Sequence, residues 1–523
     1  MKLIMKNYKF LKTIILFAIA LLGTSCEVEN SSFLKEKPNA FLDPNALLVD
    51  QDGAQIYLFG AYDAIQHVMS FGGRGQQGMQ FLWGILANDL SVSPRWDSRR
   101  FIYLHQASPS TPNIEFLWRD MYRAVNRVNS AIDRIGAMTE DQIDTDVKNT
   151  FVAEARYLRA MLYFGLVVAW ENIPLKKNET ADLNNLEIAA SSPEEVYDFI
   201  IEDLQYAIST LEPSQGGGRA TKGSAQALLG KVYLQMSGFP LNQTSRLTDA
   251  KNVLKEVIDS GIYELFPDYH EIFQLDNEQS NEMVFAISFD GPGLLNGGNM
   301  GSQFGPIGPR NLGGGFPTSF FNLNFITTYD QDGDWRFKNN VARHRANRAT
   351  PEEAFEQETT PGQLGNPLSW RPWKWHAESP NAYTGDTPFD YPYIRYADVL
   401  LLYAEALNNL GELTQADLDM TVNAIRARAR RTPDALPDMV LGTQEANDAE
   451  ILHERALELG WEGWRRTDLT RRGVEFYRNA IFVDQRGVNP GNPQDDFEDH
   501  EIRWPIPQRE LDLNPLLNQN PGY

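Results

Sequence analysis

Apolar residues recur along this chain at the three- and four-residue spacing of buried helix faces. Between Asp52 and Met69 the stripe passes through Ile56, Phe59 and Ile65, with Tyr62 among them. From Asn113 to Ile135 it passes through Ile114, Leu117, Met121, Val125, Val128 and Ile132, the repeat of an amphipathic helix. Phe151 to Trp170 is apolar nearly all round, which predicts a helix buried on every side, and Pro174 stops the chain beyond it. Ser192-Pro193-Glu194-Glu195 is a helix start: a capping hydroxyl, a proline in the first turn, and acids at the positive end. That helix extends to Leu211. Thr221–Met236, Leu247–Ser260, Tyr393–Leu410, Leu418–Arg431 and Asn447–Arg472 complete the set, with Gly261 and Gly411 as stops.

Short turns join these helices in pairs. Small residues recur at close-packing positions: Ala153, Ala155 and Ala160, then Ala225, Ala227 and Gly230, then Ala397, Ala404 and Ala406. Small side chains let helix axes approach, as stacked helical hairpins require. The fold expected is all-α, a tetratricopeptide-like superhelix of helical hairpins, although no strict 34-residue consensus recurs. Residues 290–392 break the pattern. Glycine, proline and asparagine dominate there, as in Gly291-Pro292-Gly293 and Gly313-Gly314-Gly315, and only Phe320–Thr328 suggests a short helix. This stretch is expected to be a long loop-rich insertion on a helical scaffold of 46–289 and 393–523, the whole of 46–523 forming one domain. Long loops on a rigid frame commonly carry function.

The N-terminus follows another pattern. Lys2, Lys6, Lys9 and Lys12 precede an unbroken apolar run from Ile14 to Leu22. That run is far shorter than the roughly 20 residues a bilayer-spanning helix needs, and it fits a signal sequence. Gly23, Thr24 and Ser25 then lead into Cys26, the single cysteine of the chain. Small residues before a cysteine at this place predict a lipoprotein signal peptide over 1–25 and a lipid anchor on Cys26. Residues 26–45 are polar and read as a tether.

Composition narrows the function. The net charge of −23 argues against nucleic acid and anionic headgroups as partners. No internal disulfide can form. The seven histidines, His67, His105, His270, His344, His376, His453 and His500, are not at metal-ligand spacing. Asp330, Asp332 and Asp334 with Gly333 suggest calcium, but position 12 of that loop is Val341, so an EF-hand is excluded and a turn before a helix is the expectation. Gly217–Lys222 lacks the glycine and hydroxyl residue that flank a phosphate-loop lysine. No carboxylate pair stands out for glycoside hydrolysis. No cofactor or metal is expected.

Five blocks resemble the SusD/RagB family of outer-membrane nutrient-binding lipoproteins. They are Glu154-Ala-Arg-Tyr-Leu-Arg-Ala-Met-Leu-Tyr-Phe164 with Trp170–Pro174; Gly218-Arg-Ala-Thr-Lys-Gly-Ser-Ala225; Tyr393-Ile-Arg-Tyr-Ala-Asp-Val-Leu-Leu-Leu-Tyr-Ala-Glu-Ala406; Glu454–Leu469; and Trp504-Pro-Ile-Pro-Gln508 with Asn514-Pro and Gln519–Gly522. The resemblance implies a non-enzymatic, lipid-anchored protein on the outer face of the outer membrane. It further implies that the protein binds oligosaccharides and caps a TonB-dependent (SusC-like) transporter. Glu27 and Glu29 look like the family's surface-export signal. Within the blocks, Glu454, Glu458, Glu462 and Arg466 are spaced as one charged stripe along a helix, and Arg156 and Arg159 are expected to pair with acids or helix ends.

Sugar recognition needs exposed aromatic faces beside hydrogen-bonding groups, hence loops. Met79–Arg100 supplies Trp83, Asn88, Asp89, Arg95, Trp96, Asp97, Arg99 and Arg100, with Trp96 the leading candidate; Trp83, ahead of a helix-like apolar stretch, reads more readily as core. The insertion supplies Phe316, Trp370, Trp373, Trp375 and Tyr383. Trp373 and Trp375 alternate as on one strand face and serve a core as readily as a site; Trp370 and Tyr383 are the better candidates. The competing readings are peptide capture, as in the RagB branch, a surface glycoside hydrolase, and a scaffold that binds nothing itself.

Overall fold

The computed structural model describes residues 44–70, 78–92, 98–290, 297–298, 300, 318–343, 370–375, 388–488 and 497–523, apart from positions 181, 183, 185, 215 and 270. Among the described residues six long helices come first: α1 (Gln51–Met69), α2 (Pro112–Gly136), α3 (Thr145–Trp170), α4 (Pro193–Thr210), α5 (Lys222–Ser237) and α6 (Arg246–Asp259). Each packs against the next, and α6 packs on α7 (Tyr396–Leu410), which contacts α9 (Gln444–Leu459). Between and after these lie α8 (Val422–Ala429), α10 (Arg465–Thr470) and α11 (Val474–Val488). The fold is the all-α, tetratricopeptide-like superhelix that the periodicity predicts.

Local chemistry sets the helix ends. The Ser192 hydroxyl accepts the Glu195 amide while the Glu195 carboxylate accepts the Ser192 amide, closing a capping box. Thr221 and Ser224 do the same for α5. Helix α3 starts six residues earlier than its apolar face, because Asp144 accepts from the amides of Asp146 and Val147. Gly230 shows why small residues recur: a β-carbon there would come within 2.5 Å of the Leu254 side chain on α6. The Arg159 expectation holds, since its fork grips Asp203 of α4 at 2.7 and 2.8 Å.

Three boundaries differ from the sequence expectation. Tyr391–Arg395 is a strand buried along its whole length, and helix begins only at Tyr396. The stretch 447–472 is not one helix. It breaks at Gly460–Trp464, where Trp461 (φ 69°) and Gly463 (φ 85°) take left-handed backbone, so Glu462 and Arg466 do not continue a stripe on α9. Thr421 divides Gln415–Met420 from α8. Helix α11 and the C-terminal turn Gln508–Leu513 were not anticipated. Trp504 and Asn520 nonetheless tie the C-terminal segment to the end of α3, through bonds to the carbonyls of Ala169 and Trp170.

The described part of 290–392 holds short strands and two short helices, Leu323–Ile326 and Trp335–Asn340, the first within the stretch Phe320–Thr328. Among the described residues four antiparallel ladders occur: β1 (Ser91–Val92) with β5 (Phe320–Phe321), β2 (Ile173–Pro174) with β3 (Ala190–Ser191), β4 (Met283–Ile287) with β8 (Tyr391–Arg395), and β6 (Val341–Arg343) with β7 (Trp370–Pro372). Asp330 turns the chain by accepting from the Gly333 amide, and Asp334 caps the short helix Trp335–Asn340. That is the turn before a helix expected at those aspartates. No helix among the described residues is long and apolar enough to cross a membrane.

Candidate functional site: the base of the aromatic loops

The first candidate loop and the insertion meet in one ladder. Ser91 pairs with Phe321 and Val92 with Phe320, antiparallel. The chain therefore leaves Val92 toward Arg95 and Trp96 at the same end of the ladder where it arrives from Phe316. Asn322 donates its amide to the Leu90 carbonyl at 2.8 Å, which extends the junction. Strand β5 also lies against β7, and β6–β7 joins the chain before position 344 to the chain after 369.

A buried ionic platform carries these strands. The turn Gly460–Trp464 is its centre. Glu462 accepts from Lys374 at 2.7 Å and from Arg395 at 2.9 and 2.7 Å. Its carbonyl accepts the Tyr391 hydroxyl at 2.6 Å, and the neighbouring Trp461 carbonyl accepts the Trp375 indole at 3.2 Å. Arg395 also bonds Glu282 and Glu458, at 2.5 and 3.0 Å. Arg428 joins the same two acids, at 2.9 and 2.6 Å. Arg336, capped by Asp334, reaches Glu454 at 2.5 Å. All of these ions are buried.

Electrostatics explain why the acids stay charged. Burial alone would raise Glu458, but Arg428, Arg395 and Arg336 outweigh it and hold the carboxyl at about 2. Lys374 goes the other way: burial lowers it to about 8 against the pull of Glu462. Asp390, just before β8, has no cation beside it among the described residues. Burial and then Glu278 push it up to about 7.

The sequence candidates divide. Trp83 is 2% exposed; its indole donates to Thr467 at 3.1 Å and its ring lies 3.9 Å from the Arg466 guanidinium. Trp370 is also buried, 6.0 Å from the Phe337 ring. Packing partners distant in sequence cover both: for Trp83 this is the core position that its apolar context favours, and Trp370, offered as a binding candidate, is covered as well. Asn88 is buried as a turn-former, accepting from the Leu90 and Ser91 amides. Asp89 is held by both arms of Arg465 at 2.8 and 2.6 Å. Arg99 is buried at the start of a short helix. Trp373 is half-buried and Trp375 buried. Arg95, Trp96, Asp97, Phe316 and Tyr383 lie outside the described residues, as do the signal segment 1–25, Cys26 and most of the tether. Phe101, 48% exposed and just past the first loop, was not singled out; its only signal was an aromatic directly after two arginines. Among the described residues no group of His, Cys, Asp or Glu is placed to hold a metal ion.

Comparisons with known proteins agree with this architecture. Residues 281–523 match the SusD family, and residues 82–234 match a family described as starch-binding associating with outer membrane. A SusD-like protein of Formosa agariphila is 27% identical, with 99% of this chain and 100% of that one aligned. This chain is SusD-like. The starch-binding protein SusD of Bacteroides thetaiotaomicron is 23% identical over 80% of each chain. Among solved structures, a SusD homologue from the same species superposes with a TM-score of 0.76 at 24% identity, covering 92% of this chain and 98% of that one. A laminarin-binding SusD-like protein superposes with 0.70 at 22% identity, covering 91% and 100%. At these identities the superpositions speak for the fold.

Proposed function

We propose that this SusD-like protein captures oligosaccharides at the outer face of a Gram-negative outer membrane. It delivers them, uncleaved, to a partner TonB-dependent, SusC-like transporter. The observation that carries this reading is the β1–β5 pairing, which starts the Trp96 loop and ends the Phe316 loop at one place on a rigid base. Relatives named for starch and laminarin binding support neutral glycans as the ligand class. In this reading Trp96 and Phe316 stack on sugar C–H faces, Arg95 serves the hydroxyls, and Tyr383 joins from the insertion. Trp83, Asn88, Asp89, Arg99 and Trp370 hold the base. A lipid on Cys26 holds the protein at the membrane, and 26–45 is the tether of the single domain 46–523.

Native gels cast with a panel of polysaccharides, laminarin and starch included, test the reading. Retardation by at least one is expected. No retardation by any, together with binding of peptides, contradicts it.

A further inference from the structure

A second opening lies where the α4–α5 connection passes the free edge of β4. It is a cleft of about 140 Å³ lined from the connection by Ser214 and Arg219, from the chain after α6 by Tyr263, and by Gln279–Asn281 and Met283–Ala286. Four consecutive strand residues, Met283 to Ala286, line it. Side chains alternate along a strand, so the cleft faces the strand edge, where β4 has no strand partner among the described residues.

Its side chains are donors. Arg219 spends Nε (2.9 Å) and Nη2 on the buried Glu154. Tyr62 braces the same carboxylate at 2.7 Å while accepting the Ala220 amide. The third guanidinium nitrogen, Nη1, has no partner among the described residues, and the side chain remains 21% exposed at the cleft. The Ser280 hydroxyl is buried there without a partner. Asn281 and Ser214 are exposed at the mouth. Among the described residues no Asp or Glu side chain lines the cleft, in a chain with 70 acids and a net charge of −23. Neutral amides, hydroxyls and one arginine edge suit an acceptor-rich ligand with its own negative charge. A guanidinium fixed by one carboxylate presents its remaining donors with little left to order.

We propose that this cleft is a second ligand site, separate from the loop base, for a carboxylate carried on a sugar: a uronic acid residue. Its carboxylate meets Arg219 Nη1, and its ring hydroxyls meet Asn281 and the β4 edge. The inference does not depend on which glycan the aromatic loops take.

Titration of the full chain with glucuronic acid, its methyl ester and N-acetylalanine, followed by calorimetry or amide chemical shifts, tests it. Glucuronate is expected to bind, more weakly as salt rises, and the ester to bind at least tenfold more weakly. Ser214→Asp should weaken glucuronate roughly threefold to tenfold, the scale of one charge at a partly exposed site, while Ser214→Asn leaves it unchanged. Ester binding as tight as that of glucuronate overturns the proposal. So does an unchanged affinity in Ser214→Asp, or N-acetylalanine binding as tightly as the sugar acid.

Discussion

Helices α1–α6 are held mainly by alanine, leucine and aromatic faces, with separate buried ion pairs among them: Arg159–Asp203, Arg219–Glu154 and Lys231–Asp398. The segment carrying β4–β8 is held instead by a connected set of buried ions around Gly460–Trp464. The contrast concerns tolerance. Apolar packing accepts exchanges of similar volume at small cost. A buried ion network tolerates little, because removing one member strands the others without water. An apolar interface lets neighbouring helices slide by fractions of an ångström. Directional ion pairs set one position for the strands from which the loops spring. That suits a binding site built on loops, which needs a fixed base.

The largest expected effect comes from breaking the network. Arg395→Met leaves Glu282, Glu458 and Glu462 buried with a lost partner, and should cost about 3–5 kcal/mol in urea unfolding. In the helical half, Gly230→Ala forces a methyl into Leu254 and should cost about 1–3 kcal/mol. Ser192→Ala removes one cap and should cost about 1 kcal/mol. Similar losses for Arg395→Met and Ser192→Ala would erase the distinction between the two regions.

Acid sharpens the same contrast. Glu458 and Glu405 are each held at about 2 in the fold, where arginines outweigh burial. A depressed carboxylate stabilises above its unfolded value, near 4.3, and that contribution is lost as pH falls toward 2. Stability should therefore drop between about pH 4.5 and 2, and the slope should shrink in Glu405→Gln. Asp390 has the opposite sign. Its raised value, about 7, means a contribution present below about 4 and lost as pH rises through 7. Asp390→Asn should remove that smaller slope from urea midpoints measured between pH 4 and 8.

Much of the scaffold was legible because its signals are local. Ser192-Pro193-Glu194-Glu195 and Thr221 fix helix starts with residues within one turn. The break at Gly460 was hidden, because Glu454, Glu458, Glu462 and Arg466 keep helical spacing across it; the glycines were the overlooked clue. Tyr391–Arg395 is apolar and short, a pattern that helix and buried strand share. The two-residue ladders carry no period at all. For the site, composition located loops rich in aromatic and charged residues, but Trp83 and Trp370 show the limit. Whether a tryptophan faces solvent was decided by Arg466, Trp504 and Phe337, none of them a neighbour in its loop.

The central claim is that the Trp96 loop, rooted in the β1–β5 ladder, binds the glycan. The most direct measurement is calorimetry of the polysaccharide that retards the protein, comparing wild type with Trp96→Ala. A loss of about 1–3 kcal/mol in binding, with unfolding unchanged, is predicted for the removal of a stacked aromatic face. Equal affinities in the two proteins would contradict the account.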